Sequence, residues 1–201
     1  MRSLWKGLIS FGLVTIPVRL YSATERKDLK FRYLHEPCKT PIRYEKVCPT
    51  CGRAVKQEEI VWGYEYQKGR YVILQREDFE ALPTHTSKSV DILDFVKAEE
   101  IDGIYFDKSY YLEPAEGGEK AYALLRRAMH DTQRIAIATT SIRAGETLAA
   151  LRPFSNALMI ETMFYNDEIR KPSELPYLPP EEPEFHPNEL KMARQLIENL
   201  S

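Results

Sequence analysis

Short runs of apolar, β-forming residues recur along the chain and restrict the folds that it can adopt. The first twenty residues alternate between large apolar and small or polar side chains, with glycines at positions 7 and 12, where curved sheets bend or bulge. Pro17 lacks a backbone N–H and therefore predicts a sheet edge or a break between two strands. Further β-type runs cover residues 71–74, 135–142 and 158–165. Together these runs predict a mixed, mainly β fold.

Helical spacing is confined to two segments. Apolar residues recur every three or four positions between Glu119 and about Met129, which predicts an amphipathic helix. The same spacing near the end of the chain predicts a last helix with Asn188 as its N-cap. Six of the thirteen prolines lie in residues 171–187, which is typical of an extended, polyproline-like arm. Because an apolar stripe stops just before Ser201, we expect the chain to be truncated there.

Charge is distributed unevenly along the 201 residues, although the net charge is only −2. Residues 1–70 carry 14 basic against 7 acidic side chains, residues 71–150 carry 9 against 14, and residues 151–201 carry 5 against 9. This asymmetry is compatible with an anionic partner at one surface, and also with solvated charges that fall unevenly by chance. The three cysteines are an odd number, and no apolar run approaches about 18 residues. We therefore expect a cytoplasmic protein without a disulfide framework or a membrane segment.

All three cysteines and one histidine fall within a window of seventeen residues. His35 and Cys38 form one pair and Cys48 and Cys51 form a second, with two residues inside each pair and nine between them. Such spacing lets both members of a pair reach one ion, and structural zinc takes four nitrogen or sulfur ligands. The cluster predicts a structural zinc knuckle at 35–51, with no position left for a catalytic water. Reduced thiols beside a surface histidine, or a redox-active Cys48–Cys51 pair, are the alternatives.

No sequence motif of a known catalytic site is present in the chain. It lacks the phosphate-binding patterns GxxxxGK[ST] and GxGxxG, the metalloprotease pattern HExxH and the hydrolase pattern GxSxG. His85 and His130 have no nucleophile nearby in a recognisable pattern. The acidic pairs at 91/94 and 99/100 could hold Mg²⁺ in a nuclease, but such acids more often lie on a solvated face. The sequence therefore favours binding over catalysis.

Several blocks of the sequence closely resemble the bacterial Ku family. The opening residues 5–23, WKGLISFGLVTIPVRLYSA, are similar to the start of these proteins. The likeness continues through RYEKVC at 43–48 with Cys51 and Gly52, GYEY at 63–66, the segment 101–114 around FDKSYYLE, LAALRP at 148–153 and DEIR at 167–170. The resemblance spans essentially all 201 residues, and ungapped blocks of this length are highly specific.

The resemblance implies a Ku-type β-barrel core with an extended bridge or arm and a few α-helices. We therefore expect a core in residues 1–170, with a bridge insertion at about 60–115 and the zinc knuckle at 35–51. The proline-rich arm and terminal helix would then occupy residues 171–201. His35 and Cys38 are absent from many members of the family, so the zinc prediction depends on the spacing alone.

Ku proteins bind the ends of double-stranded DNA in non-homologous end joining. Resemblance to them implies that two chains form a homodimeric ring through which duplex DNA threads, without base recognition and without enzymatic activity. It also implies protection of DNA ends, recruitment of the ATP-dependent DNA ligase D, and a bacterial cytoplasmic, nucleoid-associated location. Many members continue into a C-terminal segment that helps to recruit the ligase. Because this chain ends at Ser201, we do not assume that recruitment survives in it.

A ring that slides on DNA needs basic side chains toward the phosphates. Arg19 and Arg143 match basic positions that lie on the DNA-facing side of the barrel in the family, and these are the first candidates for phosphate contacts. The weaker candidates, each of which is also compatible with plain surface charge, are Lys6, Arg53, Lys56, Lys88, Lys108 and Arg126. The tyrosines at 64, 66, 110 and 111 are interpreted as bridge or dimer contacts, because the bases of a duplex stay paired.

Two other classes of protein remain open at this stage. A zinc-knuckle transcription or adaptor protein would bind DNA weakly, without preference for ends, and would be monomeric. A metal-dependent nuclease would cleave DNA in the presence of Mg²⁺, although its carboxylates form no convincing constellation in the sequence.

Overall fold

The computed structural model describes residues 1–75, 77–78, 88–143, 145–178 and 183–200, with the backbone alone for Arg143. The chain divides into two units, Met1–Met163 and Phe164–Ser201. The strands are β1 (Trp5–Phe11), β2 (Val14–Ser22), β3 (Val47–Cys48), β4 (Arg53–Ala54), β5 (Trp62–Gln67), β6 (Arg70–Leu74), β7 (Ser89–Lys97), β8 (Phe106–Pro114), β9 (Arg134–Arg143), β10 (Gly145–Phe154) and β11 (Ala157–Met163). The α-helices are α1 (Glu119–Thr132) and α2 (Pro187–Leu200).

Seven of these strands close into a barrel in the order β1-β2-β8-β11-β10-β9-β7. Six of the pairings are antiparallel, whereas β7 closes on β1 in parallel, with Leu8 opposite Ser89 and Ser10 opposite Asp91. The other strands form two separate two-stranded ribbons, β3–β4 and β5–β6. The prediction of a mainly β fold built on a barrel is confirmed.

Alternate residues of the barrel strands point into a shared apolar interior, as the two-residue period of a β-strand requires. In β2 this places Ile16, Val18 and Leu20 inside, at 0 to 2% exposure, and turns the residues between them outward. Burying a side chain of this size stabilises the folded state by roughly 1.5–3 kcal/mol. Other members of the interior are Ile9, Val90, Leu112, Ala136, Ala138, Leu151, Leu158 and Ile160.

Pro17 lies inside β2, where it is paired with Leu8 of β1. The prediction of a sheet edge or a break between strands is therefore wrong, since both neighbours of β2 are barrel strands. The missing N–H is tolerated because the ladder with β8 begins only at the next residue, Val18 opposite Pro114. The Pro17 carbonyl still accepts a hydrogen bond of 2.8 Å from the backbone N–H of Ala115. Proline in a sheet belongs where its nitrogen has no ladder partner to lose.

The predicted helix over residues 119–129 is confirmed and extends to Thr132, where Gln133 ends it in the left-handed conformation. It closes one end of the barrel through Tyr122, which is 5% exposed. The hydroxyl of Tyr122 donates to the Leu112 carbonyl at 2.5 Å and accepts from the Leu158 N–H at 2.6 Å. Burial raises the pKa of this hydroxyl, so the tyrosine remains protonated as a donor.

The β5–β6 ribbon is a hairpin that turns at Gly69, where φ is +76°. The predicted bridge insertion at about 60–115 also contains β7 and β8, and both of these are barrel strands. Among the described residues of that range, the β5–β6 hairpin is the part that forms a two-stranded ribbon separate from the barrel.

The unit that begins at Phe164 contains short 3₁₀ turns at Asn166–Glu168 and Pro172–Glu174, followed by α2. Helix α2 begins at Pro187, so the prediction of Asn188 as the N-cap is wrong. Proline is favoured in the first turn of a helix because its missing N–H has no partner there. Within the described ranges, no helix is long and apolar enough to cross a membrane.

Gly7 of β1 lies close against Lys88, the residue that immediately precedes β7. A Cβ atom at this position would lie 2.0 Å from the Lys88 carbonyl oxygen and 2.0 Å from the Cζ3 atom of Trp5. The first of these obstacles is backbone, so it cannot turn away as a flexible side chain would. Only glycine allows the two strands to close the barrel at this distance.

We expect Gly7→Ala to lower the free energy of unfolding by about 1–3 kcal/mol, because the added methyl group forces the closing strands apart. Urea unfolding followed by circular dichroism measures this change. Gly103→Ala is the matched control, since nothing lies within 4 Å of a Cβ built there. Equal stability of the two variants would contradict the role of Gly7 in barrel closure.

Candidate nucleic-acid interface

Lys6 and Arg19 lie opposite each other on the outer face of the barrel, in the paired strands β1 and β2. Arg19 points outward because its neighbours Val18 and Leu20 fill the interior. On its other side, Arg19 is in register with Glu113 of β8. The structure therefore brings two of the predicted phosphate-contacting residues together on one surface.

The charge of Arg19 is only loosely neutralised by its neighbour. Its Nη1 atom lies 3.8 Å from the Glu113 Oε2 atom, and its side chain is 41% exposed. The Glu113 carboxylate is also the acceptor of the Tyr21 hydroxyl at 2.6 Å, and this hydrogen bond raises the pKa of Tyr21. The buried Nε atom of Arg19 has no hydrogen-bond partner among the described residues. The exposed part of the guanidinium can still donate hydrogen bonds to a phosphate oxygen.

Lys88 and Lys108 line a single cavity of about 840 Å³ at one end of the barrel. Lys88 immediately precedes β7, and Lys108 lies near the start of β8, so the two are distant in sequence. Lys108 is 3.6 Å from the carboxylate of the neighbouring Asp107. Arg26 lines the same cavity and is a basic residue that the sequence analysis missed, since it lies in an irregular segment without any motif.

Of the other residues predicted to contact phosphates, those whose side chains the structure describes do not line this cavity, and some of them already have a protein partner. Arg53 forms an ion pair of 2.8 Å with Glu59, and Lys56 is exposed beside it. Arg126 of α1 donates to the Ser155 carbonyl at 3.2 Å, which ties the helix to the β10–β11 turn. Arg143 is the last residue of β9, and its side chain lies outside the described residues.

Arg152 is a further basic residue that the sequence analysis did not single out. Its Nε atom lies 2.6 Å from the Glu161 Oε2 atom, and Ser109 donates to the other carboxylate oxygen at 3.0 Å. Glu161 is only 8% exposed, so this pair is largely withdrawn from solvent. The guanidinium also lies over the Phe154 ring, 5.5 Å from its centroid. These contacts give Arg152 a structural role in joining β8, β10 and β11.

The predicted zinc ligands form two close pairs. The His35 Nδ1 atom is 3.1 Å from the Cys38 Sγ atom, inside a turn in which the His35 N–H donates to the Thr40 carbonyl at 2.8 Å. The second pair, Cys48 and Cys51, shares a tight turn in which the N–H of the next residue, a glycine with φ of +65°, donates to the Cys48 carbonyl at 2.8 Å. Within the described ranges, no three histidine, cysteine or acidic side chains converge closely enough to hold a metal ion. The structure brings the ligands together as pairs and does not join the pairs.

Hydrogen bonding within each turn changes the acidity of the thiols. A hydrogen bond from the Thr40 side chain lowers the pKa of Cys38, and a backbone hydrogen bond from Cys51 lowers the pKa of Cys48. The side-chain hydrogen bond between the two cysteines of the second pair raises the pKa of Cys51. Thiolates are the form of cysteine that binds metal ions, so both pairs contain a sulfur shifted toward the coordinating form.

Comparison with known protein families identifies the chain. The family described as Ku70/Ku80 beta-barrel domain matches residues 10–192. The chain belongs to the Ku family. This match extends from β1 into α2 and therefore includes the barrel, the cysteine pairs and the β5–β6 hairpin. It confirms the resemblance inferred from the sequence blocks.

Curated Ku proteins from several organisms are similar over the whole chain, and each is named a non-homologous end joining protein Ku. The protein of Symbiobacterium thermophilum is 56% identical over 202 residues, which cover all of this chain and 50% of that protein. The proteins of Heliobacterium modesticaldum and Bacillus subtilis are 51% and 46% identical over all of this chain, and the matches cover 72% and 65% of their lengths. The chain thus spans about half to three quarters of these relatives.

Proposed function

We propose that the chain binds the ends of double-stranded DNA, without recognising sequence, as a homodimeric ring in non-homologous end joining. In this role it protects the ends, has the ATP-dependent DNA ligase D as its partner in the pathway, and performs no catalytic step itself. Membership of the Ku family and the names of the curated relatives support the pathway. The ring, the ligase and the absence of catalysis belong to the proposal.

The observation that carries the ring is the exposure of the β5–β6 hairpin. Its six β5 residues are all exposed, and so are four of the five residues of β6. Large apolar side chains occupy both strands, and those more than half exposed are Trp62, Tyr64, Tyr66, Tyr71 and Ile73. A two-stranded hairpin is marginally stable by itself, and contiguous exposed apolar surface marks an interaction site. A second copy of the chain would cover this hairpin and complete a ring.

The distribution of cations supports contact with the DNA backbone. Lys6 and Arg19 are side by side on the barrel exterior, where they can reach phosphates without entering a groove. The two strands that hold them are joined through a full antiparallel ladder from Trp5 to Phe11, so their spacing is rigid. A sliding ring requires cations of this kind and no base-reading helix.

A gel-shift competition tests the ring directly. A labelled linear duplex bound by the protein is challenged with equal masses of linearised and covalently closed circular plasmid. We expect the linear plasmid alone to compete, because a closed ring can load only at an end. Equal competition by the circular plasmid would show that the protein binds DNA through charge without a preference for ends. No competition by either plasmid would favour the zinc-knuckle adaptor class. Cleavage of the plasmid in Mg²⁺ would identify a nuclease instead.

Arg19→Gln tests the outer-face contacts. If the guanidinium neutralises one phosphate, the variant binds linear duplex more weakly and the slope of log affinity against log salt becomes shallower by about 0.9. Fluorescence anisotropy over a series of salt concentrations measures both quantities. Arg127→Gln is the matched control, since Arg127 is already paired with Asp131 at 2.8 Å on α1. An unchanged slope for Arg19→Gln would exclude Arg19 from the interface.

We further propose that His35, Cys38, Cys48 and Cys51 hold a structural Zn²⁺ ion. The support is the donor set, which has the nitrogen and sulfur chemistry of structural zinc sites, and the closeness of the ligands within each pair. Joining the two pairs needs a rearrangement of the loop between them, residues 39–47. Zinc bound there would stabilise the segment and would take no part in DNA binding.

We expect Cys48→Ser to lose bound zinc and to lower the thermal midpoint while linear-DNA affinity changes little, because the metal supports folding alone. Atomic absorption on the purified protein measures zinc, and a thermal melt measures stability. Thr50→Ser, in the same turn, is the control and should behave as the parent chain. A parent protein without zinc and with the same melting temperature as Cys48→Ser would contradict the proposal.

A further inference from the structure

The two ends of the barrel are not equivalent. Helix α1 packs against β9 and β10 at one end and inserts Tyr122 between strands β8 and β11. At the opposite end lies the 840 Å³ cavity, here called the mouth cavity, whose lining includes the beginnings of β1 and β8 and the ends of β2 and β9. Its volume is within the range of about 300–1,000 Å³ that is usual for small-molecule sites.

The lining of the mouth cavity is rich in positive charge. Arg26, Lys88 and Lys108 contribute three cations, and Asp107 is the single acidic residue of the lining among the residues that the structure describes. Asp107 lies 3.6 Å from Lys108 and offsets part of its charge only. The cavity therefore has an excess of cations in a concave site, where the field is stronger than on an open surface.

Trp5 contributes a largely buried indole to the wall of the mouth cavity. It lines the mouth cavity and is 8% exposed, and its Nε1 atom has no hydrogen-bond partner among the described residues. An indole N–H is a donor only, and a buried donor without an acceptor carries a cost in free energy. The cations of the same lining require negative charge. A phosphate group supplies it, since it offers three strong acceptor oxygens and a charge of about −1.5 to −2 at neutral pH.

We propose that the mouth cavity binds the phosphate group of a nucleoside monophosphate unit, either a free nucleotide or the phosphorylated terminal nucleotide of a DNA strand. The phosphate lies among Lys88, Lys108 and Arg26, within reach of the Trp5 face of the cavity. The cavity volume accommodates the attached nucleoside. This site is separate from the outer-face pair Lys6 and Arg19, and it does not require the ring.

Binding can be observed through Trp5 itself. The chain has two tryptophans, so Trp62→Phe leaves Trp5 as the single indole reporter. Titration of this variant with adenosine 5′-monophosphate should give a saturable change in fluorescence, inorganic phosphate should compete, and adenosine should have no effect. Isothermal titration calorimetry on the unsubstituted chain should give the same affinity. No binding of the monophosphate, or equal binding of adenosine, overturns the proposal.

Lys88→Gln tests the charge requirement, with Lys97→Gln as its matched control. The two lysines flank the same strand, one just before β7 and one at its end away from the mouth cavity. Loss of a charge-assisted contact should weaken monophosphate binding by about tenfold in Lys88→Gln and leave Lys97→Gln unchanged. Equal affinities of the two variants would place the ligand elsewhere and overturn the proposal.

Short duplexes distinguish the source of the phosphate. If a duplex with 5′-phosphate ends displaces the monophosphate and the same duplex with 5′-hydroxyl ends does not, the ligand is the DNA terminus. If neither displaces it, the ligand is a free nucleotide. If both displace it equally, the monophosphate occupies the backbone-binding surface and the mouth-cavity proposal fails. The plasmid competition is a separate measurement, so selective binding of linear DNA can persist when this proposal fails.

Discussion

The parallel pairing of β1 with β7 is the contact on which the rest of the structure depends. It is short, from Leu8–Ser89 to Ser10–Asp91, and the Leu8 N–H donates to the Lys88 carbonyl at 2.9 Å beside it. Without this pairing the seven strands would form an open sheet with two exposed edges, and the apolar interior would face solvent on one side. Closure of the barrel removes both exposed sheet edges and also encloses the apolar interior. Gly7 makes the approach of the two backbones sterically possible.

The same closure creates the difference between the barrel ends. Because β1 and β7 run parallel, Trp5 and Lys88 are brought to the same end, where a Cβ on Gly7 would touch atoms of both. At the other end, Tyr122 of α1 satisfies backbone groups of two strands that would otherwise be buried without partners. One end is therefore sealed by hydrogen bonds and apolar packing, whereas the other retains a charged cavity.

The barrel and the β5–β6 hairpin differ in how much of its own apolar surface each buries. The barrel encloses side chains such as Ile9 and Ile160 at 0% exposure, while the hairpin leaves Tyr64 at 65% and Ile73 at 55%. A segment with this much uncovered aromatic and aliphatic surface gains free energy from a partner surface. The proposed ring requires this division, with a rigid barrel that carries basic side chains and a hairpin that a second copy of the chain would cover.

The strands and helices that bury only one of their faces were predictable from the sequence. The alternation in β2 and the helical spacing around Tyr122 were both recognisable for this reason. Strand β7 was missed because a bulge between Ile92 and Asp94 interrupts its two-residue period, and its acids were interpreted as a solvated face. Strand β10 was missed because Ala149, Ala150 and Leu151 are all buried, so that no alternation remains.

The sequence by itself determined the Ku family, the mainly β class and the pairing of His35 with Cys38 and of Cys48 with Cys51, since all of these depend on local order or on blocks of contiguous residues. The closing of the barrel and the composition of the mouth cavity were decided only by the tertiary structure. Arg26, Lys88 and Lys108 are separated by 62 and 20 positions in the chain, and no local period relates them. Strand pairing brings these residues to the same end of the barrel, because the register of a sheet aligns segments that are distant in sequence.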